Sequence, residues 1–168
     1  MEKQEKLIYR KLNLHNEEDK KLMNQLLLFD TTKDCFGDYD FYKISNEYES
    51  YAIYIKNEPM GYLGFRYINS IYYSEKGKYY ITICIRKDYQ SKGLGNVILN
   101  QILTTLFDFY GAKCIYVEVV EDNEKCNRLV KNNHFKKDGE NEFLKNGNYV
   151  KAIRYSYTMD EYRNNKKY

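Results

Sequence analysis

The feature that most constrains this chain is a pair of glycines, Gly93 and Gly95, in the segment QSKGLG. The segment stands between a strand-like run, YYITICIR, and a helix-like run, NVILNQILTTLFDFY. Glycine lets the backbone approach a ligand closely, and the start of a helix offers unpaired N–H groups and the positive end of the dipole. Arg86, Lys87 and Lys92 add positive charge nearby. The segment therefore suits an anion, and a pyrophosphate most naturally.

Spacing excludes one kind of phosphate loop and leaves two other interpretations open. A Walker loop needs GxxxxGK[ST], which the sequence lacks. A dinucleotide fingerprint needs a third glycine or alanine where Ile98 stands, although Glu118 lies about where a ribose-binding acid would fall. The other interpretation is a glycine-rich turn that binds nothing.

Composition narrows the class of protein. With 168 residues, one proline (Pro59) and no linker or repeat, we expect one domain spanning 1–168. The net charge of +3 is too small for the usual nucleic-acid footprint. Four cysteines form no CxxC pair and do not combine with His15 or His134 at zinc-like spacing, so no metal site is predicted. Without a membrane-length apolar stretch or an apolar leader, we expect a soluble, cytoplasmic protein with reduced thiols and no membrane partner.

The order of predicted elements indicates an α+β fold with a mixed sheet. Leu7–Leu14 is predicted to be a strand, and Glu17–Phe29 a helix that Asn16 can cap. An antiparallel meander follows, with turns predicted at NEPMG and around Glu75–Lys78. The remaining predicted elements are the strand YYITICIR, a helix that Gly111 stops, the strand CIYVEVV, the short helix NEKCNRLVKNN, a closing hairpin over FKKDGENEFLKNGNYVKAIRYSYTM and a solvated end, RNNKKY.

Two motifs in this order resemble one family. QSKGLG resembles the [Q/R]-x-x-G-x-[G/A] loop of the GNAT N-acetyltransferase superfamily. NEKCNRLVKNNHF resembles its second signature, which starts at Asn123 and has Cys126 at a position for a small residue. The closing hairpin looks like the end of the branch that includes ribosomal-protein N-terminal and spermidine acetyltransferases. The likeness covers almost the whole chain and is clearest from Tyr79 to Phe135.

The resemblance implies a single GNAT-like domain whose mixed central sheet has helices on both faces and splayed strands that form an acyl-CoA cleft. It implies acetyl-CoA as cosubstrate and no metal. The loop amides would hold the pyrophosphate, pantetheine would run beside the fourth strand, and Asn123 would contact it near the thioester, although Asn is also a good helix cap. The positions so assigned are Thr82, Ile83, Cys84, Ile85, Gln90, Ser91, Lys92, Gly93, Leu94, Gly95, Asn96, Asn123 and Cys126.

Two positions depart from the family pattern. His134 stands where the family has a glycine, so either the turn is built differently or His134 adopts a left-handed conformation. Val130 stands where many members carry a tyrosine general acid.

Acyl transfer to an amine also needs a neutral nucleophile. A lysine-like amine has a pKa near 10.4, so a fraction on the order of 10⁻³ is neutral at pH 7, at a cost of roughly 4–5 kcal/mol. Glu118 is the nearest acidic candidate for a catalytic base, but its alternation with Ile115, Val117 and Val119 also fits a solvent-facing residue of a strand. We therefore favour a water relay, or an α-amino acceptor with a pKa near 8.

The acceptor side is less constrained. An acidic rim after the first helix would favour a cationic amine, although a solvated loop explains it equally well. This rim comprises Asp30, Asp34, Asp38, Asp40, Glu47 and Glu49, set against Lys33 and Lys43. The predicted function is transfer of acetyl from acetyl-CoA to a primary amine, on a protein or peptide N-terminus or a small polyamine. The alternative function is a non-catalytic acyl-CoA-binding or regulatory domain. A dinucleotide-dependent oxidoreductase is the third candidate. A homodimer is left open.

Overall fold

A computed structural model describes residues 6–27, 44, 46–68 and 77–166. In this part of the chain, seven strands form one mixed sheet in the order β1-β2-β3-β4-β5-β7-β6. All neighbours pair antiparallel except β4 and β5, which are parallel. The strands are β1 Ile8–Lys11, β2 Glu49–Ile55, β3 Glu58–Tyr67, β4 Lys78–Ile85, β5 Cys114–Val120, β6 Lys136–Lys145 and β7 Asn148–Thr158. The predicted mixed sheet with its antiparallel meander is confirmed.

Helices cover both faces of the sheet. They are α1 Glu17–Leu27, α2 Leu94–Thr104, α3 Glu124–Asn132 and α4 Met159–Lys166. One core packs α2, α3 and α4 against the sheet through Ile98, Val130 and Tyr162. A smaller core packs α1 against the opposite face, where Met23 and Leu26 are fully buried.

Local sequence explains the start of α1 and the β2–β3 hairpin turn. Asn16 Oδ1 accepts the Glu18 N–H at 2.8 Å, which is the predicted cap. The β2–β3 turn lies at Lys56 and Asn57, both with positive φ, rather than along NEPMG. Pro59 is therefore inside β3, where a register irregularity beside Tyr54 accommodates a residue that cannot donate to the ladder.

The ends of several elements differ from prediction. The first strand is confined to Ile8–Lys11, and Phe29 and most of the turn around Glu75–Lys78 lie outside the described residues. The helix α2 continues into a π-helical turn over Thr105–Phe109 before Gly111, at φ 66°, ends it. The last residues were predicted to be only a solvated end, but α4 reaches Lys166. Tyr162 anchors α4, because its buried ring stacks on Phe107 with centroids 4.5 Å apart.

Candidate active site

The sheet opens between its two parallel strands. The register of β4 with β5 runs from Lys78 opposite Cys114 to Tyr80 opposite Tyr116. Beyond that point β4 continues to Ile85 on the ladder of β3, while β5 continues on the ladder of β7. Beyond this point β4 stays paired with β3 and β5 stays paired with β7, but β4 and β5 no longer pair with each other. The splayed cleft that the resemblance implied is present, and residues 82–85 line its β4 edge.

The QSKGLG loop begins where β4 ends. Gln90 Nε2 donates to the Ile85 carbonyl at 2.9 Å, which ties the loop to the strand. Ser91 and Gly93 both adopt left-handed conformations, with φ of 61° and 78°. Around Gly93 the position of a Cβ would be open, within 4 Å of nothing described. The loop therefore turns twice through a conformation that favours glycine, and its backbone is open at Gly93.

The second glycine, Gly95, allows close packing at the start of α2. A Cβ on Gly95 would lie 3.2 Å from Leu129 Cδ2 and 3.8 Å from Ile85 Cδ1. Its absence lets the start of α2 approach α3 and the end of β4. Because the first N–H groups of α2 have no partners within the helix, this end of the 11-residue helix favours an anion.

The positively charged side chains around the loop also contact other groups of the protein. Arg86 Nε donates to Asp88 Oδ1 at 2.8 Å, and Arg86 lowers the pKa of that carboxyl group. Lys92 Nζ lies 5.4 Å from the centre of the Tyr89 ring. From across the cleft, Lys125 Nζ donates to Ser91 Oγ at 3.4 Å. Positive charge therefore reaches this loop from the residue after β4, from the loop itself and from α3.

The second motif forms the start of α3, directly after β5. Asn123 Oδ1 accepts the Cys126 N–H at 3.2 Å, so the capping role of Asn123 is confirmed. The cap uses the side-chain oxygen, which leaves the amide NH₂ as the part able to donate to a ligand. Asn123 and Lys125 line a pocket of about 380 Å³ at the end of β5, whose lining includes no residue of β4 or of the QSKGLG loop. Its other lining residues are Val120, Asp122, Glu124 and Lys145.

A buried network that the sequence did not reveal holds α3 in place. Asn127 Nδ2 donates to the carbonyls of Val120 at 3.0 Å and Asn123 at 2.9 Å, and its Oδ1 accepts from the Tyr155 hydroxyl at 2.7 Å. A buried amide with all these bonds fixes the helix to the ends of β5 and β7. Asn127 lies one residue after Cys126 in the second motif, but its partner is 28 positions away in sequence.

The two departures from the family pattern have structural outcomes. His134 adopts a left-handed conformation with φ 70°, as one of the two predicted alternatives required. Val130 is 2% exposed and belongs to the core, so it contributes no acid to the cleft.

Glu118 lies on the sheet face opposite the α2–α3 core. Val117 and Val119 on either side are buried, which confirms the predicted alternation. Glu118 accepts a hydrogen bond from Asn141 Nδ2 at 2.5 Å and stands directly across the β5–β7 ladder from Arg154. The pKa of Tyr80 is raised, mainly by burial and also by Glu118, against a lowering by Arg154. These groups meet where β4 and β5 begin to part.

Most residues of the predicted acidic rim lie outside the described part of the chain. Asp30, Asp34, Asp38 and Asp40 lie outside the described residues, as do Lys33, Lys43 and Cys35, whereas Glu49 forms an ion pair with Lys11. Within the described ranges, no three His, Cys, Asp or Glu side chains are grouped so that they could hold a metal ion. No helix in the described part of the chain is long and apolar enough to cross a bilayer.

A parted parallel strand pair, a glycine-rich loop that opens a helix and a capped helix form the arrangement that the resemblance to acyl-CoA-dependent transferases implied. A profile of the Acetyltransferase (GNAT) family matches residues 15–135, and the chain belongs to that family. It is 30% identical over 124 residues to a probable spermine N(1)-acetyltransferase of Bacillus subtilis subsp. natto, covering 71% of this chain and 78% of the relative.

Solved structures share the fold over nearly the whole chain. The spermidine N-acetyltransferase of Vibrio cholerae, solved with CoA and spermine, matches with a TM-score of 0.72 and 20% identity, covering 94% of this chain and 98% of that one. Arabidopsis thaliana NAA60 with acetyl-CoA matches with a TM-score of 0.68 and 16% identity, covering 92% and 99%. The chain is an acetyl-CoA-dependent N-acetyltransferase that acylates an amine.

Proposed function

We propose that this enzyme acetylates a polyamine of the spermine and spermidine class. The observation that carries the proposal is the 30% identity to a probable spermine N(1)-acetyltransferase over 71% of the chain. A second Bacillus subtilis relative, a spermine/spermidine N(1)-acetyltransferase, is 29% identical over the same share. A polyamine presents primary amines on a flexible cationic chain, which is the kind of acceptor that an acidic rim after the first helix would favour.

The cofactor would lie in the gap between β4 and β5. The amides of residues 90–96 would hold its pyrophosphate, since this loop exposes its backbone at Gly93 and leads into a helix start. The β4 edge from Thr82 to Ile85 would pair with pantetheine. The Asn123 amide would donate near the thioester, with Cys126 one helical turn further on. When bound, acetyl-CoA supplies the activated acetyl group.

The acceptor would approach from the face that carries Glu118. A polyamine amine is largely protonated at pH 7, and making it neutral costs roughly 4–5 kcal/mol without help. We assign to Glu118 the attraction of the ammonium group and the removal of its proton, directly or through a water. Asn141 would orient the carboxylate by the hydrogen bond it donates. This assignment adds a carboxylate to the water relay favoured from sequence.

An acceptor panel at fixed acetyl-CoA tests the polyamine proposal. We expect thiol release to be fastest with spermine or spermidine and slower with peptides that have free α-amino groups. Preference for a peptide N-terminus would reject the polyamine. Saturable CoA binding without thiol release for any amine would instead favour the non-catalytic binding domain.

The role of Glu118 has its own test. Glu118→Gln should lower kcat/KM for spermine by about 10²-fold or more, which is the usual contribution of a general base. Its affinity for CoA should not change. Glu142→Gln, a charge loss at an exposed position of β6, is the matched control. Equal activity of the two variants would reject Glu118 as the base and would mean that water alone removes the proton.

The cytoplasmic location stays a prediction that agrees with this proposal. The homodimer and the absence of nucleic-acid and membrane partners stay predictions.

A further inference from the structure

We infer that Lys125 binds a phosphate of the CoA diphosphate from the α3 side and so completes a site that the QSKGLG loop only half encloses. The inference rests on the proposed CoA site and adds a residue that neither motif assigns. Lys125 is the second residue of α3, two positions after Asn123.

Geometry brings Lys125 to the loop from the opposite wall of the cleft. Its Nζ donates to Ser91 Oγ at 3.4 Å, across 34 positions of sequence. Ser91 is the residue of the loop held in a left-handed conformation just before Lys92. Lys125 and Asn123 also line one pocket in the segment that connects β5 to α3. One helical turn therefore presents an amide for the pantetheine end and an ammonium for the phosphate end.

Two other cations near the loop, Arg86 and Lys92, are less suited to this task. Arg86 is bound to Asp88 through both Nε and Nη2. Lys92 lies over the Tyr89 ring, on the side of the 3₁₀ turn that precedes the loop. Lys125 instead hydrogen-bonds to a neutral hydroxyl, which an anionic oxygen can replace or share.

The position of Lys125 is also unfavourable for the helix itself. A positive side chain in the first turn faces the positive end of the helix dipole, which destabilises a helix. Glu124 and Asp122 next to it reduce that repulsion, and both are exposed. A diphosphate placed between the α2 and α3 starts would turn the repulsion into attraction. The location of the charge is thus explained by a ligand better than by folding.

Calorimetric titration of the whole chain with CoA and with dephospho-CoA tests the inference. Lys125→Gln should weaken both ligands by about 5- to 30-fold, as expected for one charge-assisted phosphate contact. Lys131→Gln removes a charge from the exposed last turn of the same helix and should leave both affinities unchanged. The ligand-free Tm of Lys125→Gln should equal or exceed that of the unaltered chain, whereas loss of a merely structural contact would lower it.

Three other results of the titration would contradict the inference or the proposed function. Unchanged CoA affinity in Lys125→Gln would overturn the inference and leave the proposed function standing. If Lys125→Gln lowered the affinity for CoA but not for dephospho-CoA, Lys125 would contact the 3′-phosphate, and the diphosphate assignment would be wrong. Failure of the unaltered chain to bind CoA would overturn the proposed function and this inference together.

Discussion

Gly93 and Gly95 are two positions apart, yet each is a glycine for a different physical reason. Gly93 has φ 78° and open space where a Cβ would be, so backbone conformation alone requires it. Gly95 is the second residue of α2, and a Cβ there would press on Leu129 at 3.2 Å. Gly93 allows the loop to turn, and Gly95 allows two helices to approach each other.

Substitution at Gly93 separates conformational strain from steric contact. Gly93→Ala should lower the free energy of unfolding by about 1–2 kcal/mol, the usual cost of a left-handed alanine. Gly93→Asn adds a larger side chain but should cost less, because asparagine enters the left-handed region more readily. Urea denaturation of the two variants measures the difference. A larger loss for asparagine than for alanine would show that space, rather than φ, is limiting.

The Tyr155–Asn127 hydrogen bond makes a second prediction for a single residue. Tyr155→Phe removes the only donor recorded to Asn127 Oδ1 in the described part of the chain and leaves a buried acceptor unsatisfied. The free energy of unfolding should fall by about 1–3 kcal/mol. Tyr149→Phe, at a side chain 76% exposed, should change it by less than about 0.5 kcal/mol. Equal effects in urea titrations would show that the network does not hold α3.

At the scale of elements, features with local causes were predictable. The caps at Asn16 and Asn123 follow from neighbouring residues and were predicted, and the left-handed His134 was one of two alternatives that the family pattern allowed. The extent of α4 was not, because Tyr162 is anchored by Phe107, 55 positions earlier in the chain, rather than by apolar spacing of its own. The same holds for Asn127, whose partner Tyr155 lies on another element. Long-range contacts of this kind leave no local pattern.

A long-range contact between β1 and α2 predicts a pH effect. The Tyr9 hydroxyl donates to Gln101 Oε1, and burial raises the pKa of Tyr9 from 10.0 to about 12. Below the unfolded-state pKa of about 10 this contribution to stability is fully present, and it is lost as the pH rises through about 12.

Urea midpoints between pH about 9 and about 12 measure this loss. Tyr9→Phe cannot ionise, so its stability should fall less steeply over that window. Tyr149→Phe should follow the unaltered chain. Identical pH slopes for Tyr9→Phe and the unaltered chain would mean that Tyr9 ionises normally in the fold.

At the scale of the whole molecule, the sheet consists of two ladders joined by a short parallel contact. The β1–β4 ladder and the β5–β7–β6 ladder meet over three register positions, and the gap between β4 and β5 opens directly beyond them. The motifs allowed this cleft to be predicted through family resemblance, but the Tyr80, Glu118 and Arg154 cluster beside it depends on strand register and emerged only from the structure. Parting the ladders leaves two strand edges that a ligand backbone can pair with.

Hydrogen–deuterium exchange with and without CoA tests most directly whether this gap is the acetyl-CoA site. CoA should protect the amides of residues 81–85, 90–97 and 123–127, which line the β4 edge, the loop and the start of α3. Amides at the tip of the β6–β7 hairpin, around Asn146 and Gly147, should exchange at the same rate in both samples. Protection elsewhere, with no change in the loop or along β4, would contradict the assignment of the gap.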